Sequence, residues 1–496
     1  MPDPRYAAID LGATSGRVVC GRLAGGRVEL EEVHRFPNRP VTLPDGLRWN
    51  LLHLFTESLL GLRAAATAGP LAGIGVDSWG VDYALLDEQR RVLGLPFHYR
   101  DARTAGMIER AFDRVPAEDL YATTGIQTMP INTVFQLLAE EDAPSLAAAD
   151  RIALVPDLFG LWLTGELANE STNASTTGLL DARTGRWARD LIDRLGLPSR
   201  IFRDVVEPGT ALGPTLPIHG DAAGGAEGVP VFAVASHDTA AAFAAAPIRD
   251  EHAAILSSGT WSLLGLELPE PVLSDAAREA NLTNERGIEG TTRLLKNVMG
   301  MWLLEECRRD WAGGGEEAAY EDLLRQAGDF AGEPPLFDPD DDAFLAPGDM
   351  PARIAAVAER LGQEPVHEPG GLVRGILVSL ACKYRWVLER LEAVGGREVR
   401  RIHVIGGGAQ NADLCRLTAD LCAREVLAGP VEATALGNVL VQARGAGALG
   451  SLAELREVAA ASASPETYEP SPDRTEAEAT YRRFLDVTRL SDPTTA

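Results

Sequence analysis

Lysine is almost missing from this chain. The 46 lysines and arginines include only two lysines, Lys296 and Lys383, which leaves 44 arginines. Neither lysine stands in a Gly-Lys-Ser/Thr context, so a phosphate-binding P-loop is excluded. Schiff-base chemistry and the lysine of protein kinases are poorly supported for the same reason. A nucleotide on this chain must be gripped by backbone amides, helix ends, Mg²⁺ or arginine. Cysteine is scarce as well. Cys20, Cys307, Cys382, Cys415 and Cys422 are odd in number and form no Cys-x-x-Cys, so they read as free, packed thiols of a reducing cytosol. There is no run of about eighteen uncharged apolar residues and no basic stretch leading into an apolar one, so neither a membrane span nor a signal peptide is expected. Net positive charge is lacking too. A formal charge of −26 repels nucleic acid and anionic membranes, and the reading is a cytoplasmic protein with neither as a partner.

What is present supports real cores. The 496 residues are 45% hydrophobic, enough for two or three domains. Residues 6–35 alternate apolar and turn residues and predict three antiparallel strands joined by Gly-rich hairpins. In the first hairpin Asp10 ends a strand, Gly12 and Gly16 admit close backbone approach, and Thr14 and Ser15 add hydroxyl donors. Helical spacing over 51–68 precedes a buried strand at 71–77. That strand ends in Asp77-Ser-Trp-Gly-Val-Asp82, a set of carboxylates and an aromatic ring suited to a polyol. Further helices are expected at 132–142 and 156–164, and the polar stretch 169–177 reads as a loop.

Near the middle, Val231-Phe-Ala-Val-Ala-Ser-His-Asp-Thr-Ala predicts a buried strand, a polar turn and a small-residue helix. Asp238 in that turn is either a helix cap or a general base fixed at a strand end. The pattern then restarts at 253–265, where Gly259-x-x-Ser262 repeats Gly12-x-x-Ser15, a faint internal duplication. Leu294 to Leu304 reads as an apolar helix opened by Asn297, with Lys296 and Asn297 facing outward. Residues 312–350 are acidic and read as surface. A long helix at 372–394 stops at Gly395-Gly396. Arg401 to Asn411 reads as strand, triple glycine and helix, and a further helix fits 474–488. Gly445-x-Gly-x-x-Gly450 is not a dinucleotide fingerprint, because it ends a helix instead of following a strand.

The segments 10–17, 77–82, 99–104, 236–239, 258–262, 294–302 and 406–411, in that order, resemble the FGGY carbohydrate kinases from about residue 6 to 450. The resemblance implies an α/β chain with the two-domain actin/hexokinase/Hsp70-like, ribonuclease H-like ATPase fold and a central nucleotide cleft. The implied domains are 1–244, carrying the sugar site and a phosphate hairpin, 245–460, carrying the nucleotide site, and a tail with a surface helix over 461–496. It implies ATP-dependent phosphorylation of L-rhamnulose to L-rhamnulose 1-phosphate with Mg²⁺, by a monomer or homodimer. By motif, Ala13, Thr14, Ser15, Gly16 and Arg17 would meet ATP phosphates, and Thr260 and one of the glycines 406–408, Gly407 by preference, would also bind ATP. Gly80, His237, Asp238, Thr239 and Asn297 would line the sugar, with Asp238 the proton acceptor. Asp10 would orient the water shell of Mg²⁺. Glu305 occupies a position where the family can carry an ATP-site glutamine, and an anion there is a departure. The rivals are a kinase for L-fuculose, a pentulose or glycerol, and an ATP-driven chaperone or filament protein on the same fold.

Overall fold

The computed structural model describes residues 3–313, 315 and 318–490. The last six residues of the 461–496 tail, and residues 314, 316 and 317 of the acidic stretch, lie outside them. Two compact units are formed. One comprises Met1–Pro247, Glu267–Leu294 and Glu432–Ser464; the other Ile248–Leu266, Leu295–Val431 and Pro465–Ala496.

The first unit is built on a six-stranded sheet. Its strands are β1 (Arg5–Leu11), β2 (Ser15–Ala24), β3 (Arg27–Pro37), β4 (Gly73–Ser78), β5 (Thr210–Pro214) and β6 (Pro230–Ala233), in the order β5-β6-β4-β1-β2-β3. β1, β4 and β6 run parallel, and β2, β3 and β5 are antiparallel to their neighbours. The parallel strands are apolar runs because both faces are covered: Ala7, Ala8, Ile9, Leu11 and Ile74 are fully buried. Register decides what meets at the strand ends. Asp10 pairs with Asp77 on one side and with Arg17 on the other, and Ser78 bridges His237. Three strand ends therefore deliver Asp10, Asp77 and the 236–238 turn to one edge of the sheet.

The helices that pack over this sheet include Asp238–Ala244 and Ala433–Gly445. Their small residues permit close approach. A Cβ on Gly437 would fall 1.8 Å from the Ala241 carbonyl oxygen, so only glycine lets the backbones meet. The later helix also satisfies the sheet chemically. Gln442 donates to the Ala7 carbonyl at 3.0 Å, and Asn438 donates to Asp77 at 2.5 Å.

The second unit repeats this plan. β7 (Ala253–Ser258), β8 (Trp261–Leu268), β9 (Arg401–Ile405), β10 (Glu425–Ala428) and β11 (Glu466–Tyr468) lie in the order β8-β7-β9-β10-β11. β7, β9 and β10 are parallel, with β8 and β11 antiparallel at either side. Strand for strand this matches β2-β1-β4-β6-β5. The duplication glimpsed in two Gly-x-x-Ser hairpins is thus a duplication of topology.

Four local readings are corrected. Residues 169–177 are not a loop: they form a two-residue strand and the helix Ser171–Ser175, and Ser171, Thr172, Asn173 and Thr177 are wholly buried. Asn297 does not open a helix. It sits on the strand Thr292–Met299, and the helix begins only at Trp302. Lys296 beside it is buried, not outward-facing, and burial lowers its ammonium to about 8. Both lysines of the chain lie near one ring, 5.9 and 4.7 Å from the Trp386 centroid. The stretch 312–350 is also more than surface, since Leu336, Phe337 and Phe344 are fully buried and Asp338 pairs with Lys383 at 2.7 Å.

Candidate active site

The first unit carries an acidic edge under strict control. Asp238 begins its helix, and its Oδ1 accepts from the Thr239 amide at 2.6 Å and the Thr239 hydroxyl at 3.2 Å. It is therefore a helix-start residue as well as a candidate base. Its Oδ2 takes no hydrogen bond among the described residues, and 31% of the side chain stays accessible. Burial raises its carboxyl above the usual range, the nearby His237 opposes this, and the charge of Asp10 adds to it. Asp77 lies deeper and is pushed up further, first by burial and then by Asp10, with Asp238 contributing. Its Oδ1 is buried without a hydrogen-bond partner.

The turn ahead of Asp238 is held by a residue that the sequence did not single out. Glu170 is buried and accepts from the Ser236 amide at 3.0 Å, the Ser236 hydroxyl at 2.7 Å and the Thr172 hydroxyl at 2.6 Å. The His237 amide donates to Thr172 Oγ1 at 3.2 Å. Polar residues in 169–177 that look like a loop thus form the cradle of the strand-end turn. Gly80 lies under Thr176, whose Oγ1 would be 2.9 Å from an added Cβ. Val81, next to it, is forced to φ 68°, a costly conformation for a β-branched residue and one found chiefly where function demands it. Asp82 is not a free polyol ligand. It is consumed by Trp49 at 2.5 Å, Gln136 at 2.8 Å, Trp79 at 3.0 Å and the Tyr99 amide at 3.2 Å.

The first hairpin has its carbonyls tied back. Asn38 donates through its side chain to the Gly12 carbonyl at 2.8 Å and through its amide to that of Thr14 at 3.0 Å. The Ala13 and Thr14 amides donate to nothing among the described residues, which suits an anion. Gly16 is required by packing, since a Cβ would strike the Phe36 ring at 2.3 Å. The Arg17 guanidinium is not free: it pairs with Asp10 at 2.8 Å and with Glu432.

The second unit gathers a comparable set. The Gly259 and Thr260 carbonyls accept from the Met301 and Trp302 amides at 3.0 and 3.1 Å, which docks this hairpin on the start of the helix Trp302–Ala312. Glu305 on that helix is neutralised by Arg308, with bonds of 3.0 and 2.8 Å. Arg308 lies 5.9 Å from the Tyr320 ring, and the Tyr320 hydroxyl accepts from Asn411 at 2.9 Å, just past the triple glycine. The three glycines differ. A Cβ on Gly408 would lie 2.0 Å from Ser258 Oγ and one on Gly406 3.0 Å from Ser258 O, whereas one on Gly407 meets nothing within 4 Å. Gly406 and Gly408 serve packing, and Gly407 faces open space. Asn297 is partly exposed on its strand.

No group of three His, Cys, Asp or Glu residues among the described residues forms a metal cage. Mg²⁺ rarely asks for one, because it keeps several waters and takes one or two carboxylates. The orphaned Oδ1 of Asp77, close to the Asp10 charge, fits a hydrated cation of that kind.

Solved structures with this fold are sugar and polyol kinases. Xylulose kinase from Rhodospirillum rubrum superposes with a TM-score of 0.76 at 21% identity over 97% of each chain. Glycerol kinase from Plasmodium falciparum, solved with ADP, gives 0.77 at 16% identity over 99% of each chain. The fold is that of the two-domain, actin-like kinases. The N-terminal domain model of the FGGY family of carbohydrate kinases matches residues 6–244, and its C-terminal domain model matches residues 254–446. The chain belongs to the FGGY family of carbohydrate kinases. It is 40% identical to a rhamnulokinase from Bacteroides thetaiotaomicron across 98% of this chain and 99% of that one. A rhamnulokinase from Pectobacterium carotovorum is 41% identical across 100% and 98%. No helix among the described residues is long and apolar enough to cross a membrane.

Proposed function

We propose that this carbohydrate kinase transfers the γ-phosphoryl group of ATP to the primary hydroxyl of L-rhamnulose, giving L-rhamnulose 1-phosphate and ADP. The observation that carries the reading is the end-to-end likeness to rhamnulokinases at 40–41% identity. The acidic strand-end edge supports it chemically. Asp238 takes the hydroxyl proton on Oδ2 as the new O–P bond forms and the bond to the β-phosphate oxygen breaks. Its raised carboxyl makes it a better proton acceptor than an ordinary surface aspartate. His237, Thr239, Gly80 and Asn297 line the ketose. The amides of Ala13 to Gly16 hold phosphate oxygens, and Thr260 and Gly407 also bind ATP. Glu305, already paired with Arg308, presents little net negative charge there. Mg²⁺, when bound near Asp10 and Asp77, would spread the charge that develops on the transferred group. The domain limits 1–244 and 245–460, with a tail beyond, belong to the same proposal, as do a cytoplasmic location and a monomer or homodimer.

A panel of L-rhamnulose, L-fuculose, D-xylulose and glycerol, assayed for ADP release, tests this reading. L-Rhamnulose is expected to give the highest kcat/KM. Faster turnover of another acceptor overturns the substrate assignment. ADP release at full rate without sugar would instead match the chaperone or filament alternative, against which family membership already speaks.

A further inference from the structure

His237 is braced from behind by two residues far from it in sequence. Its Nδ1 lies 3.2 Å from Arg293 NH2 and 3.3 Å from Glu285 Oε2, and these two side chains are themselves 3.1 Å apart. Arg293 is wholly buried and Glu285 nearly so. The Arg293 Nε donates to the Arg286 carbonyl at 3.0 Å, while NH1 makes no hydrogen bond among the described residues. A buried ion pair of this sort seldom stabilises more than apolar packing would, and an unsatisfied buried donor calls for another reason to be there.

Proton placement supplies that reason. Two groups face Nδ1: the Arg293 guanidinium, which can only donate and meets hydrogen-bonding geometry, and Glu285 Oε2, which makes an ion-pair contact there and is itself engaged by the same guanidinium nitrogen, so Nδ1 accepts from Arg293. A neutral imidazole accepting on Nδ1 carries its hydrogen on Nε2. That Nε2 lies 3.5 Å from Asp238 Oδ1. The opposite tautomer would turn a lone pair toward a carboxylate oxygen. We propose that Arg293, braced by Glu285, is a positioning residue that acts through His237: it fixes the Nε2–H tautomer, which holds Asp238 Oδ1 and leaves Oδ2 turned to the acceptor hydroxyl. Glu285 keeps the guanidinium in place without touching Asp238. Lysine cannot replace Arg293, because a single ammonium cannot hold Glu285, the Arg286 carbonyl and the imidazole in one plane. The inference rests on the role of Asp238 given under the proposed function.

The test is a double-mutant cycle on the full-length enzyme with L-rhamnulose and MgATP, reading kcat and both KM values. Arg293→Met and His237→Asn are each expected to lower kcat about 100-fold, in the range of a disturbed general base. The KM for ATP should stay within about twofold, and the double variant should fall no more than about threefold below His237→Asn, because the two residues act as one unit. Arg293→Lys should not rescue kcat. Additive losses overturn the inference, and so does a variant whose melting temperature falls while kcat is kept, as a merely structural role would give. If Arg293→Met does not fold, Glu285→Gln/Arg293→Met removes both charges and takes its place in the cycle. Near-normal kcat in that charge-balanced variant also overturns it. Asp238→Asn assayed alongside separates the two readings: turnover there removes the base itself, whereas a dead Asp238→Asn with an additive cycle removes only the role of Arg293.

Discussion

At the scale of single residues, similar carboxylates are put to opposite uses. Asp238 keeps one oxygen without a hydrogen bond among the described residues, whereas Asp82 has four donors aimed at it. Asp238→Asn is accordingly expected to lower kcat about 10²–10⁴-fold with ATP binding intact, checked by ADP release and nucleotide titration. Asp82 answers a different measurement. Burial lifts its carboxyl to about 6, against the pull of its hydrogen bonds to Gln136, Trp49 and Trp79. Between the unfolded value near 4 and about 6 the folded chain binds the extra proton, so the stability contributed by Asp82 is full below that window and falls as pH rises through it. The melting temperature of the wild type relative to Asp82→Asn should decline from about pH 4 to pH 6 and then level off. A flat difference would show that Asp82 ionises in the fold as it does in the open chain.

At the scale of elements, glycine placement makes the sharpest predictions. Gly437→Ala would push a methyl group into the Ala241 carbonyl, on the helix that Asp238 begins. It should cost about 1–3 kcal/mol by overpacking and lower kcat as well, read by melting and steady-state kinetics. Gly408→Ala should destabilise through Ser258, whereas Gly407→Ala should leave the melting temperature unchanged and raise only the KM for ATP. The reverse pattern would mean that the nucleotide meets Gly408. Most elements were legible in the sequence because their patterns are local: the opening hairpins alternate, and the helix Pro369–Gly395 keeps its spacing until Gly396. Asn297 was misread for a physical reason. Short apolar runs do not distinguish strand from helix. The break at Gly300 is set by a distant neighbour, since a Cβ there would lie 2.7 Å from Ser262 Oγ. Residues 169–177 misled by composition, because their hydroxyls and amides are spent on Glu170 and on one another instead of on water. Asp238 and the glycine turns could be found from motifs. Arg293, Glu285 and Asn38 could not, since only folding brings them to the site.

At the scale of the whole molecule, the chain passes between its two units five times. The first unit is therefore not a product of the first 247 residues alone. Val439 and Leu440 join Tyr6, Ala8 and Val19 in one core cluster, and Asn438 and Gln442 satisfy the sheet. A fragment ending at Pro247 should show no cooperative melting transition, and fusing residues 432–464 to it through a flexible linker should restore one. A cooperative transition in the short fragment would show that this late helix is dispensable. The arrangement also bears on biosynthesis. A ribosome adding roughly 5–20 residues per second needs on the order of ten to forty seconds to travel from the end of the first segment to the helix that completes it. Throughout that interval the nascent sheet lacks the part of its apolar cover that the late helix supplies, and Asp77 waits for its amide partner. Phosphoryl transfer can begin only once translation is nearly over, and chaperone dependence should be concentrated in that wait.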